Sequence, residues 1–383
     1  MFNKLNSFSN NSNDANANNR KNSYWDFGWY DKRQEFQLRS GLEKNLDINK
    51  YMCIKFNSYQ MNIIKRGLIK QLDVSIYAKE CFNWKQMFII YVGLKEDLDV
   101  SVYAKEDFKW EQMKELYLGL KKGIDVSEYN NSLFDVFQMR IIREGKELNL
   151  DTSIYSKICY DYYQMEVILE GLKEGIDVSM YADSKYDSEQ MYQIKRGIME
   201  GIDVSIYADY RYDFTQMSCI LSGLIDKLDV SKYSDVKYTA VQMSQIYKGL
   251  KNNVDISKYA DSNIRSEIMS IIRQGLEFNI DMRKYVEMGL KYDNLMLVLD
   301  GLKNGLDVSL YEDKRYNHIQ AALIMAGLKL GLDVKKYANP KFSEYKMMII
   351  ANDLKNGIDV SEYADPDLSI VEIENIRYQI MNS

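Results

Sequence analysis

The 383-residue chain is 46 % hydrophobic and 28 % charged, which is enough apolar residue for a large core and unlike a disordered composition. Fifty basic against 56 acidic side chains leave a net charge of −6, so the molecule lacks the positive field behind non-specific nucleic-acid affinity. A single histidine, His318, excludes triads, His pairs and His-built metal cages, so catalysis would fall to carboxylates, Lys, Tyr or Cys and an enzyme is disfavoured.

In chain order, residues 1–23 are Asn/Ser-rich and read as a flexible tail, and 24–383 as one repeat domain. The N-terminus has no apolar signal core, and 18 apolar residues never run together, so neither secretion nor membrane insertion is expected. Cys53, Cys81, Cys159 and Cys219 have no metal or redox spacing and are too few for a disulfide framework, which favours a reducing, cytoplasmic setting. No metal or other cofactor is expected.

From there the chain repeats with a period of 26 residues. Glycine recurs from Gly41 and Gly67 to Gly301 and Gly327, with Asp353 in the thirteenth slot. Six residues after each comes Asp, ten after comes Tyr (Tyr51, Tyr77 and onward to Tyr363), and five beyond that Tyr stands an apolar, usually aromatic residue. Counted from the glycine, apolar residues fall at −6 (mostly Met), −3 and +1, the spacing of an amphipathic helix. Asp, Asn, Ser or Thr with Gln three residues later, as in Asn57/Gln60 and Asp187/Gln190, predicts a capping box at its start. Gly or Asn at +4, as in Gly123 or Asn149, predicts a left-handed stop, giving a helix of about 13–14 residues. The repeated Asp then caps a second, shorter helix, "DVSxYA". Pro340 and Pro366 share one linker slot between helices.

A unit this small buries its apolar face only by stacking, so the predicted fold is all-α: a solenoid of about thirteen long-helix/short-helix repeats. The mid-helix glycine costs about 1 kcal/mol relative to Ala. Its recurrence implies close backbone approach, expected against the adjoining layer. The Tyr, Asp and Met positions read as cap and core, because one residue type in every layer is what stacking requires. His318, at a helix start, reads as surface, and the four Cys as packing residues or bystanders. The stretch 281–300 departs most from the pattern, losing "VS" and the capping box.

The phrases "GLKNGLDVSLY" at Gly301–Tyr311 and "YADPDL" at Tyr363–Leu368 resemble an uncharacterised tandem-repeat family of gut anaerobes and their mobile elements, over about residues 24–383. In layout the chain also resembles leucine-rich variant repeats, which alternate α- and 3₁₀-helices. Neither resemblance brings catalytic residues. The first implies, as one version of a binding role, that the partner is a host factor.

Function is expected where copies differ. Positions −9, −5, −2 and +2 lie together on the helical wheel and are expected to form one contiguous outer face. Its candidate partner-binding residues are Trp84, Phe88, Tyr91, Trp110, Lys114, Tyr117, Arg140, Arg143, Tyr162, Tyr192 and Lys195. The strongest local signal is the Trp84/Trp110 pair with Tyr91 and Tyr117 beneath, because Trp, Tyr and Arg anchor interfaces. The expected function is a non-enzymatic scaffold for a protein or extended peptide. The alternatives are nucleic-acid binding through the Lys/Arg and aromatic columns, and end-to-end self-assembly through terminal copies with few capping devices.

Overall fold

The computed structural model describes residues 27–382; the tail read at 1–23 lies outside them, as do residues 24–26 and 383. All regular structure among the described residues is helical. The chain divides into two compact units at Met165/Glu166. The first holds α1 (Lys32–Glu43), α2 (Ser58–Ile69), α3 (Trp84–Lys95), α4 (Trp110–Lys121) and α5 (Val136–Glu147), and the boundary falls inside α6 (Tyr162–Lys173). The second holds α7 (Ser188–Met199), α8 (Phe214–Ile225), α9 (Ala240–Lys251), α10 (Ser266–Glu277), the short α11 (Arg283–Glu287), α12 (Tyr292–Lys303), α13 (His318–Lys329), α14 (Glu344–Lys355) and α15 (Ile370–Met381). Within each unit the long helices pack each on the next, so each is an α-solenoid.

Each long helix has 12 residues, slightly shorter than its periodicity suggests. The capping boxes form: Asn57 Oδ1 accepts from the amides of Tyr59 and Gln60, while Gln60 Oε1 accepts from the Asn57 amide. All ten expected Gly and Asn stops have positive φ, from Asn45 at 54° to Gly357 at 76°. Gln71, Asp97 and Lys227 take the same conformation without that freedom, a strain of about 1 kcal/mol each that packing sustains. The helices of the terminal copies start with the same capping box as the rest, at Asp31/Gln34 and Ser369/Glu372.

The second helix of the repeat is a 3₁₀ turn of three residues such as Val74–Ile76, capped by the preceding Asp. Its Tyr is the largest buried side chain of the copy, and Tyr51, Tyr77, Tyr103, Tyr207 and Tyr311 are each 0 % exposed. Burial pushes the Tyr51 phenol up to about 12. The Met positions are equally buried, as a core reading requires.

The glycine serves a different contact from the one expected. A β-carbon on Gly67 would lie 1.9 Å from the hydroxyl of Tyr77 and 2.8 Å from Val74 Cγ1, both in the same copy. The notch therefore seats the copy's own short helix rather than the adjoining layer. From it the Tyr hydroxyl donates to a helix carbonyl, as from Tyr207 to Gln193 O at 3.0 Å.

The divergent stretch has its own solution. Met282, fully buried, takes the place under Gly275 that Tyr fills elsewhere. The chain then forms α11, and α12 still packs on α10.

Candidate functional site

The long helices bury a wider arc than a two-layer amphipathic helix, because each meets a helix ahead, a helix behind and a short helix beneath. On α2 the buried set is Gln60, Met61, Ile63, Ile64, Lys65 and Gly67, which includes positions −4 and −2. Position −2 is thus part of the seam between copies and does not belong to the outer face, and this corrects four of the candidate residues. Tyr91 is 4 % exposed and Tyr117 9 %. Tyr117 donates its hydroxyl to Glu96 Oε2 at 3.0 Å, and Arg66 lies over the Tyr91 ring. Arg143 reaches back to Glu115, 28 residues earlier, at 2.9 Å. Lys195 is 3 % exposed and contacts Glu170 and Glu174, each at 3.0 Å. Burial works against its charge, yet the hydrogen bonds it donates to those two carboxylates outweigh it and hold the ammonium above its ordinary pKa.

The pairing of −4 with the next copy's −2 recurs as Lys65 Nζ to Gln37 Oε1 at 2.7 Å and Arg273 Nε to Gln245 Oε1 at 3.1 Å. A second staple comes from the capping-box glutamine, whose Nε2 donates to the carbonyl of the following copy's aromatic residue: Gln60 to Phe82 at 2.8 Å, Gln86 to Phe108 at 2.7 Å. The capping box accounts for only half of that residue's bonding.

The other candidates stand outside the core. Trp84 (39 %), Phe88 (37 %) and Tyr192 (51 %) are exposed, as are Lys114 and Arg140, while Trp110 and Tyr162 are half-buried. In the first unit the structure joins them to residues at −8 that the wheel argument passed over. Tyr59 packs on Trp84 with ring centroids 5.6 Å apart, and the ammonium of Lys85 lies 4.5 Å from the Trp110 ring centre. Farther along, Phe137 packs on Tyr162 at 5.6 Å, Tyr162 on Tyr163 at 5.3 Å, and Arg140 lies over Phe137. Tyr59 (57 %), Phe137 (51 %) and Tyr163 (64 %) are largely open to solvent. The signal that could have found them is two adjacent aromatic or cationic residues at the helix start, Trp84-Lys85 and Tyr162-Tyr163.

What this strip can do chemically is bind. Cation–π pairs and stacked rings present flat apolar area with charge at its margin, and each such contact adds about 0.5–1 kcal/mol at an exposed site. Among the described residues no group of three or more His, Cys, Asp or Glu side chains is placed to hold a metal ion, and no helix is long and apolar enough to cross a membrane. His318 is exposed at the start of α13, Cys81 and Cys159 are exposed, and burial raises the Cys219 thiol to about 11.

The chain matches no protein-family model, no curated protein and no solved structure.

Proposed function

We propose that the protein is a non-enzymatic scaffold that holds an extended protein or peptide segment along the helix starts of its first unit. The supporting observation is the run of outward rings from Tyr59 through Trp84 and Lys85 to Trp110. The chain buries its repeated aromatic residues almost completely, so rings left at the surface in adjacent copies stand apart from the packing pattern. Trp and Tyr supply large, rigid contact area at low entropic cost, the property that makes them anchors. Exposed free thiols at Cys81 and Cys159 suit a reducing compartment such as the cytoplasm.

Affinity capture from cells, read by mass spectrometry, tests this with wild type against the Trp84→Ala/Trp110→Ala chain. The variant is expected to lose the main partner; equal recovery of every captured protein removes this strip from the account. Single-stranded nucleic acid is the competing occupant, favoured by cations stacked on rings and opposed by the −6 charge. Retention that falls steeply with salt would identify it.

A further inference from the structure

In the second unit, α10 departs from the repeat in three linked ways. Position −7 of α10 holds Ile268 in place of the stapling glutamine, the preceding aromatic slot holds Ile264, and the N-cap residue Arg265 makes no side-chain cap. α10 lacks the carboxamide that in copies such as α2 and α3 spans from N-cap amide to the next linker, and after Met282 the chain takes a different path as α11, followed by Gly289 at φ 78°. A cleft of about 390 Å³ is left between α10 and α11, within the range of small-molecule sites (about 300–1,000 Å³).

Its walls are Ile264, Ile268, Ile272 and Val286, and its rim carries Lys258, Arg265 and Arg283, with Glu287 as its acidic member. Arg283 is held by Asp281 through two nitrogens, at 2.9 and 2.5 Å, so its charge is already met. Lys258 closes no ion pair among the described residues, but its charge is felt by the Asp255 and Asp281 carboxylates; Arg265 has no acidic partner among them. An aliphatic floor with one unpaired guanidinium, that of Arg265, at its edge is complementary to one kind of molecule. We propose that this cleft binds an amphipathic organic anion, a medium-chain aliphatic carboxylate, with its chain on the four aliphatic walls and its carboxylate against Arg265.

Isotope-edited NMR of ¹³C-labelled decanoate, below its micelle concentration, with the full-length chain provides the test. Saturable binding of one decanoate per chain is expected. Ile268→Gln, which refills the slot with the residue other copies use, is expected to abolish it. Arg265→Glu is expected to weaken it at least tenfold at low salt, and decylammonium should bind at least tenfold more weakly than decanoate. Circular dichroism checks that Ile268→Gln folds; if it does not, the exposed Arg265→Glu change carries the comparison. Unchanged decanoate signals with wild type, non-saturating uptake, equal binding by the folded variants, or equal binding of decylammonium each overturn the proposal.

Discussion

The hydroxyl of Tyr207 lies 2.0 Å from where a β-carbon on Gly197 would stand, inside the same copy. The ring is fully buried, with Val204 Cγ1 2.8 Å from the same point, so neither neighbour yields easily. Helix propensity favours Ala over Gly by about 1 kcal/mol and overpacking costs about 1–3 kcal/mol, so Gly197→Ala is expected to destabilise by about 1–2 kcal/mol. Removing the oxygen with Tyr207→Phe should recover part of that loss. A thermal-melt double-mutant cycle checks it, and strictly additive effects would contradict a shared notch.

Where the notch is absent the chain substitutes charge. Asp353 is fully buried, accepts the Tyr363 hydroxyl at 2.8 Å and is paired with Arg377, whose Nη2 lies 2.8 Å from Oδ1. Arg377→Ala leaves a buried carboxylate without its cation, and a loss of about 3 kcal/mol is expected. Restoring the repeat with Asp353→Gly in the same chain should return most of it. Chemical denaturation of the three chains gives the comparison.

The seam predicts its own tolerances. Glu115 is 4 % exposed and pairs with Arg143, while the equivalent partner of Arg273 is Gln245. Glu115→Gln is therefore expected to cost under about 1 kcal/mol, because a carboxamide already fills this role, whereas Glu115→Leu leaves Arg143 Nε without its acceptor, with only Glu147 still paired to the guanidinium, and costs about 1–3 kcal/mol. Equal melting temperatures for the two variants would show that the pair is incidental.

At the divergent copy, hydrogen bonds from Arg283 hold the Asp281 carboxyl down at about 2. A carboxyl lowered on folding contributes stability above its unfolded pKa near 3.9, and loses it as pH falls through the folded value. Acid weakening of this site should therefore develop between about pH 4 and 2. NMR titration should place the Asp281 midpoint near 2 and move it toward the ordinary carboxylate range in Arg283→Ala.

Much of this architecture was legible because a period of 26 exposes each role many times. Caps, stops and core at positions such as Asn57, Gly123 and Met61 are local, and the local rules for helix ends and amphipathic faces suffice to find them. Contacts between copies were less legible. Lys195 and Arg143 look like surface on a wheel with a single buried face; their burial follows from helices on both sides, and its trace in sequence is complementary charge one copy back, 28 residues for Arg143 and 25 for Lys195. The role of Gly197 was inverted for a similar reason, since its spacing reveals a close approach without naming the neighbour. The outward strip was half found: Trp84 and Trp110 stood out, while Tyr59 and Phe137 sit one position along the helix, at −8, outside the four positions the wheel grouped together.

The claim that a partner lies along those rings is tested most directly by lysine cross-linking of the captured complex, read by mass spectrometry. Cross-links concentrated on Lys85, Lys109 and Lys114, and lost in Trp84→Ala/Trp110→Ala, are the expected result. Cross-links concentrated on second-unit lysines such as Lys232 and Lys258, unaffected by that double change, would contradict it.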